Sequence, residues 1–237
     1  MEFKNEIGLI QRRMAASIAG TSRRLEILNA LDIESGQYVL DIGCGGGHLL
    51  EEIAKAVGPE GKAYGLDTSE DQLNQARKRC SLYKNVFTIK GYANQINLEN
   101  NSCDSICSVQ TFEYIDNVDD SIKELTRILK PSSIFVNISI LWEYYKFFGA
   151  DEELNKTIHD TFKAHCFHQM LPTSLEGKLK KFGFKNIKHK PLPMFITNRD
   201  DNSPAKFAEE VIGQFAIQQG ISAVSYTHLR AHETRYD

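Results

Sequence analysis

Long apolar runs are missing from this chain of 237 residues. No stretch approaches the roughly 20 residues that a membrane span needs, and the region around Arg12 and Arg13 lacks the apolar core of a secretory leader. The expectation is a cytoplasmic protein with no membrane partner. Paired cysteines are missing too: there are five, an odd number without regular spacing, so a disulfide framework is not expected and a reducing compartment is consistent. A tight C-x-x-C or Cys/His pair is absent, which argues against a zinc site, and no metal is expected. An excess of positive charge is also lacking. Lys and Arg number 28 against 31 Asp and Glu, a net charge of -3, and the only lysine cluster is Lys178, Lys180, Lys181 and Lys185. Such a chain has no general attraction for phosphate backbones, so nucleic acid is not expected as a partner. The remainder, 41% hydrophobic and 25% charged, is ordinary for one globular α/β domain.

What is present is concentrated at Val39-Leu40-Asp41-Ile42-Gly43-Cys44-Gly45-Gly46-Gly47. An apolar run reads as a buried strand, and the glycines after it as a turn where backbone comes close to a ligand. The spacing separates two nucleotide-type cofactors. A dinucleotide fold wants G-x-G-x-x-G, which from Gly43 needs a glycine where His48 stands, whereas the glycines here fall at Gly43, Gly45 and Gly47. Ala63 to Leu66 forms a second short strand ending in Asp67, the place where an acid accepts hydrogen bonds from ribose hydroxyls in nucleotide-binding α/β folds. Ser69 with Gln72 makes a capping box for the next helix.

An acid followed by G-x-G-x-G resembles the first motif of the class I S-adenosylmethionine-dependent methyltransferases. The resemblance extends over about 39–140. Gly91-Tyr92-Ala93 stands where that family has Gly-Asp-Ala, with Tyr92 replacing the acid. Asp104 to Gln110 followed by Phe112-Glu113-Tyr114-Ile115 resembles the fourth motif, and Ile128-Leu129-Lys130-Pro131 the family's LKPGG, with Ser132 and Ser133 for the glycines. It implies S-adenosylmethionine as cofactor, held by Asp41, Gly43, Cys44, Gly45, Gly47, Asp67, Thr68, Gln72, Ala93 and Gln110. Methyl transfer to a small molecule is the implied activity. An S-adenosylmethionine-binding protein without catalysis and an NAD-type enzyme stay open as alternatives. Ser108-Val109-Gln110-Thr111 lacks the Asn/Asp-Pro-Pro-aromatic motif of nucleic-acid amino methylases, and arsenite methylation at the scattered cysteines is a minor branch.

Strands alternating with amphipathic helices imply an α/β fold with a doubly wound, mostly parallel sheet. Residues 1–36 read as a helical lid broken at Gly20-Thr21-Ser22, residues 37–141 as the cofactor-binding core, 142–171 as a substrate-side insert and 172–223 as the C-terminal part. A fifth strand is expected over Ile134 to Ile140. Helices are expected after a Pro172-Thr173-x-x-Glu176 cap and over Phe207 to Gln219, with a sixth strand from Phe184 to Met194 between them. The aromatic insert offers Trp142, Tyr145, His165 and His168 as substrate-pocket candidates, since a base is needed only where the acceptor arrives protonated. No catalytic residue and no oligomeric state can be read. Val224 to Thr234 resembles the translation of a transposase-type sequencing adapter, so 224–237 is expected to be a non-native tail, and the family's last, antiparallel strand is expected to be missing.

Overall fold

A computed structural model describes residues 5–144, 152–192 and 204–220. Its centre is a parallel sheet of five strands: β1 (Tyr38–Ile42), β2 (Lys62–Asp67), β3 (Val86–Lys90), β4 (Cys103–Val109) and β5 (Leu129–Ile138), in the order β3-β2-β1-β4-β5. The chain winds outward from β1 to β2 and β3, then returns to lay β4 on the other side. That reversal opens a crevice at the carboxyl ends of β1 and β4, where ligands bind in folds of this kind.

The sheet is covered on both faces because its strands are apolar on both. Leu40, Ile42 and Ile106 join one core with α5 (Val118–Ile128) and α7 (Leu171–Lys181). Val39, Ala63 and Cys107 join the other with α2 (Ile18–Leu31), α3 (His48–Val57) and α4 (Glu70–Arg79). Neighbouring residues on a strand point to opposite faces, so Val39 and Leu40 belong to different cores. Side chains such as Ile53 and Leu125 are fully buried, each contributing about 1.5–3 kcal/mol. Two further helices, α1 (Asn5–Ala16) and α8 (Pro204–Gln218), pack together, while α6 (Glu152–Phe162) lies after β5. No helix among the described residues is long and apolar enough to cross a membrane.

Several boundaries differ from the sequence reading. The N-terminal helices break at Ser17, not at Gly20-Thr21-Ser22. Ser17 Oγ caps α2 by accepting from Gly20 N, and a Cβ on Gly20 would lie 2.3 Å from the Ala15 carbonyl. Gly20 therefore lets two helices meet closely and does not end one. The fifth strand starts at Leu129, which pairs with Cys103 before a register shift, so Leu129 is a strand residue. Pro131 is tolerated because β5 is an edge strand among the described residues. The Pro172-Thr173 cap does not form: Pro172 lies in the first turn of α7, Thr173 donates its hydroxyl to Met170 O, and Glu176 pairs with Lys180 and His189. Residues 184–192 are irregular where a sixth strand was expected. Gly183 at φ 90 and Asn186 at φ 55 bend this stretch out of an extended path. The end of that segment, Pro193 and Met194, and the 224–237 tail lie outside the described residues.

Candidate active site

The cleft opens at the carboxyl ends of β1, β2, β4 and β5 and continues along β5, which is an edge strand among the described residues. Its volume is about 2680 Å3, beyond the roughly 300–1,000 Å3 of a pocket for one small ligand, because the groove runs on from the glycine loop past β5.

The glycine loop is tied down by the neighbouring strand. Gly43 N and Cys44 N both donate to Leu66 O, at 2.8 and 3.0 Å, and Gly45 N donates to Asp67 Oδ2 at 2.9 Å. The glycines then divide by task. At Gly47, φ is 81 and a Cβ would lie 2.8 Å from Ala76 Cα, so this glycine lets α3 start against α4 from behind the cleft. Gly45, at φ 52, faces the cleft itself, and a Cβ there would meet only the Gln11 amide at 3.1 Å.

Asp41, Gly43, Cys44, Gly45, Asp67, Thr68, Gln72, Ala93 and Gln110 all line the cleft, and Gly47 does not. Asp67 accepts from Ser69 N on one oxygen at 2.8 Å and from Gly45 N on the other, with the Thr68 backbone a third donor, which leaves the carboxylate acceptor capacity for a ligand. Burial raises its pKa despite those bonds. Asp41 is 2% exposed, and burial, with Asp67 adding repulsion, pushes its pKa to about 7. Its side-chain partner is the Cys107 thiol at 3.8 Å.

Two residues that sequence reasoning missed complete this end. Arg23 of α2 donates to Gln110 Oε1 and to Ala19 O, and burial lowers its pKa. Among the described residues neither Arg23 nor Asp41 has a salt-bridge partner, yet both line one cleft, which suits a ligand bearing both charges. Gln110 takes the left-handed backbone, φ 51, a conformation that non-glycine residues adopt at a cost and that clusters at functional sites. The second missed residue is Gln11, whose Oε1 accepts from Gln72 Nε2 at 3.2 Å. Next to it Arg12 pairs with Asp71 at 3.0 Å, so α1 lies across the glycine loop.

The insert candidates separate. Trp142 lines the cleft. His165 is 1% exposed, stacked on Phe162 at 3.7 Å, and burial lowers its pKa to about 4, so it is neutral at pH 7. His168 Nε2 meets the carbonyls of Ile115 and Asp116 at 2.9 and 3.1 Å. Tyr145 lies outside the described residues. No group of three potential metal ligands gathers among the described residues.

A family model described as a methyltransferase domain matches residues 33–199. The chain belongs to the methyltransferase domain family. This methyltransferase domain is 29% identical over 181 residues to a demethylmenaquinone methyltransferase of Lactobacillus johnsonii, covering 69% of the chain and 74% of that protein. To the demethylmenaquinone methyltransferase of Geobacillus stearothermophilus it is 32% identical, over 48% of the chain and 49% of that protein. The match thus spans about half the length of several curated relatives. Among solved structures, an S-adenosylmethionine-dependent methyltransferase of Aquifex aeolicus superposes with a TM-score of 0.53 at 26% identity. That likeness covers 68% of the chain and 78% of the Aquifex protein.

Proposed function

We propose that this protein moves a methyl group from S-adenosylmethionine to a small-molecule acceptor held at the carboxyl ends of β4 and β5. S-adenosylmethionine is the cofactor, and when bound it supplies a methyl group already activated on a sulfonium. The residues lining the cleft fit it. The carrying observation is the pair of opposite, mostly buried charges, Asp41 and Arg23, in one cleft and without salt-bridge partners among the described residues. An amino-acid zwitterion answers both, with Asp41 for the ammonium and Arg23 beside Gln110 for the carboxylate. Gly43, Cys44 and Gly45 supply the close backbone, and Gly47 shapes the loop from behind. Asp67 has lone pairs left for ribose hydroxyls, and Thr68, Gln72 and Ala93 flank the nucleoside side.

With the methyl group already activated, the chain's own work is alignment and exclusion of water. The α1 helix, through Gln11 and Arg12, covers the glycine loop. The acceptor side is bounded by Trp142, with His165 packed behind it and His168 holding the loop after β4. Demethylmenaquinone methylation by the relatives makes quinol-like phenols a sensible part of an acceptor panel.

Calorimetric titration with S-adenosylmethionine, S-adenosylhomocysteine and NAD is the first test, with binding expected for the first two alone. Turnover on a panel of phenols, thiols and amines is the second. Tight cofactor binding with no turnover on any acceptor points to a binding protein, and binding of NAD alone overturns the cofactor assignment for this chain.

A further inference from the structure

The carboxyl end of β5 brings Asn137, and Ser139 just beyond it, into the lining of the cleft, beside Gln110 and Trp142. Ser139 Oγ accepts from Asn137 Nδ2 at 3.0 Å and donates to Glu113 Oε2 at 2.9 Å. A hydroxyl has one proton and two lone pairs, so Ser139 keeps one lone pair for a donor arriving from the cleft. Glu113 is 0% exposed and does not line the cleft itself. Its main chain is clamped as well: Phe167 N and His168 N both donate to Glu113 O, at 3.0 and 3.1 Å.

The groups around Glu113 leave it alone in titrating near neutrality. Burial pushes its carboxyl up to about 7, against the pull of Ser139 and Trp142. Burial also raises the Tyr114 phenol and takes Cys166 to about 11, while His165 is lowered to about 4. Arg23, on α2, is the cation that faces it. A carboxyl poised near pH 7 is suited to take a proton at pH 7.

We propose that Ser139 is a catalytic residue that takes the acceptor's proton, with Glu113 as the positioning residue behind it that receives the hydroxyl's own proton. The inference rests on the methyltransferase reading above and adds to it an acceptor class: molecules that carry a proton on the attacking oxygen, sulfur or nitrogen. The balance is simple. The acceptor atom bonds to the methyl carbon as the carbon–sulfur bond breaks, and that electron pair stays on sulfur. The acceptor's proton passes to Ser139 Oγ, Ser139's proton passes to the Glu113 carboxylate, and the neutral acid loses it to solvent after product leaves.

Infrared pH titration of the protein saturated with S-adenosylhomocysteine needs no acceptor. With the cofactor's ammonium holding Asp41 ionised, a protonated-carboxyl band titrating near neutrality is expected, lost in Glu113→Gln, shifted in frequency in Ser139→Ala and unchanged in Asp41→Asn. Absence of the band, or its survival in Glu113→Gln, overturns the relay. Single-turnover methylation is then compared for catechol and dithiothreitol, which carry the proton, and iodide, which does not. Glu113→Gln and Ser139→Ala are expected to slow the first two by about a hundred- to ten-thousandfold and flatten their pH profile near neutrality, leaving iodide unchanged. Ser139→Thr, which keeps the hydroxyl, should recover most of the rate. Equal loss on all three acceptors, or loss on none, overturns the proposal. If the wild type binds S-adenosylhomocysteine but methylates none of the three, the failure belongs to the small-molecule reading, and the infrared titration alone decides the relay.

Discussion

Asp67 ties down the fold at a place where we propose that it also holds the ligand. Its two oxygens hold Gly45 N and Ser69 N, so Asp67→Ala releases the glycine loop and also removes the proposed ribose contact. Cofactor affinity should fall by at least the roughly 1.5–3 kcal/mol of bonds to a charged group, measured by calorimetry with S-adenosylhomocysteine. An unchanged affinity in a folded variant would remove Asp67 from the site. Asp41 gives a pH signature. Without cofactor its carboxyl protonates at about 7, and a cationic ligand favours the ionised form. Below that pH a proton competes with the cofactor, so affinity should drop about fivefold from pH 7 to pH 6 and level off above about 8. Asp41→Asn should bind more weakly at every pH and show no such slope. The glycines were legible as a loop but not in their tasks. Gly45 and Gly47 look alike in sequence, and only the approach of Ala76 tells that one faces the cleft and the other a helix.

Among the elements, the strands and helices of the core were legible because their apolar residues repeat at periods of two and three to four. The N-terminal helices were legible as helices, but their junction was not. Glycine and serine both mark breaks, and nothing local tells that Gly20 lies inside α2 against the Ala15 carbonyl. A methyl group there has 2.3 Å to the carbonyl oxygen, so Gly20→Ala must push α1 away from α2. We expect a cost of about 1–3 kcal/mol and faster tryptic cleavage at Arg12 and Arg13, which α1 holds against Asp71 and Glu210. Cleavage at the wild-type rate would mean the junction has slack. Glu113 and Ser139 escaped sequence reading for a related reason. An acid between Phe112 and Tyr114 is a visible oddity, but its partner lies 26 positions away, just past the end of β5.

The whole molecule carries buried groups of both kinds, and their effects on stability oppose one another. Asp41 and Glu113 have pKa values raised to about 7, so the folded state binds more protons than the unfolded state between about 4 and 7 and loses stability as pH rises through that window. His48 and His165 are lowered to about 4 from an ordinary 6.5, so the folded state binds fewer protons there and gains stability as pH rises. Two acids against two imidazoles nearly cancel from about pH 4.5 to 6.5. Surface carboxylates lowered by lysine partners, such as Asp119, act below this range. The cofactor-free protein should therefore show a nearly flat melting temperature across that interval, and His165→Phe, which keeps the stack on Phe162, should tilt it downward with rising pH. A steady rise in the wild type would refute the balance.

The α1 helix closes over the glycine loop through polar and ionic ties: Gln11 to Gln72, Arg12 to Asp71, Arg13 to Glu210. Ties of this kind are weakened by salt, unlike the apolar cores on either side of the sheet. If spent cofactor and its replacement exchange past this helix, the residence time of S-adenosylhomocysteine becomes a property of the medium. Turnover limited by product exchange would quicken as ionic strength rises, while the melting temperature stays nearly where it was.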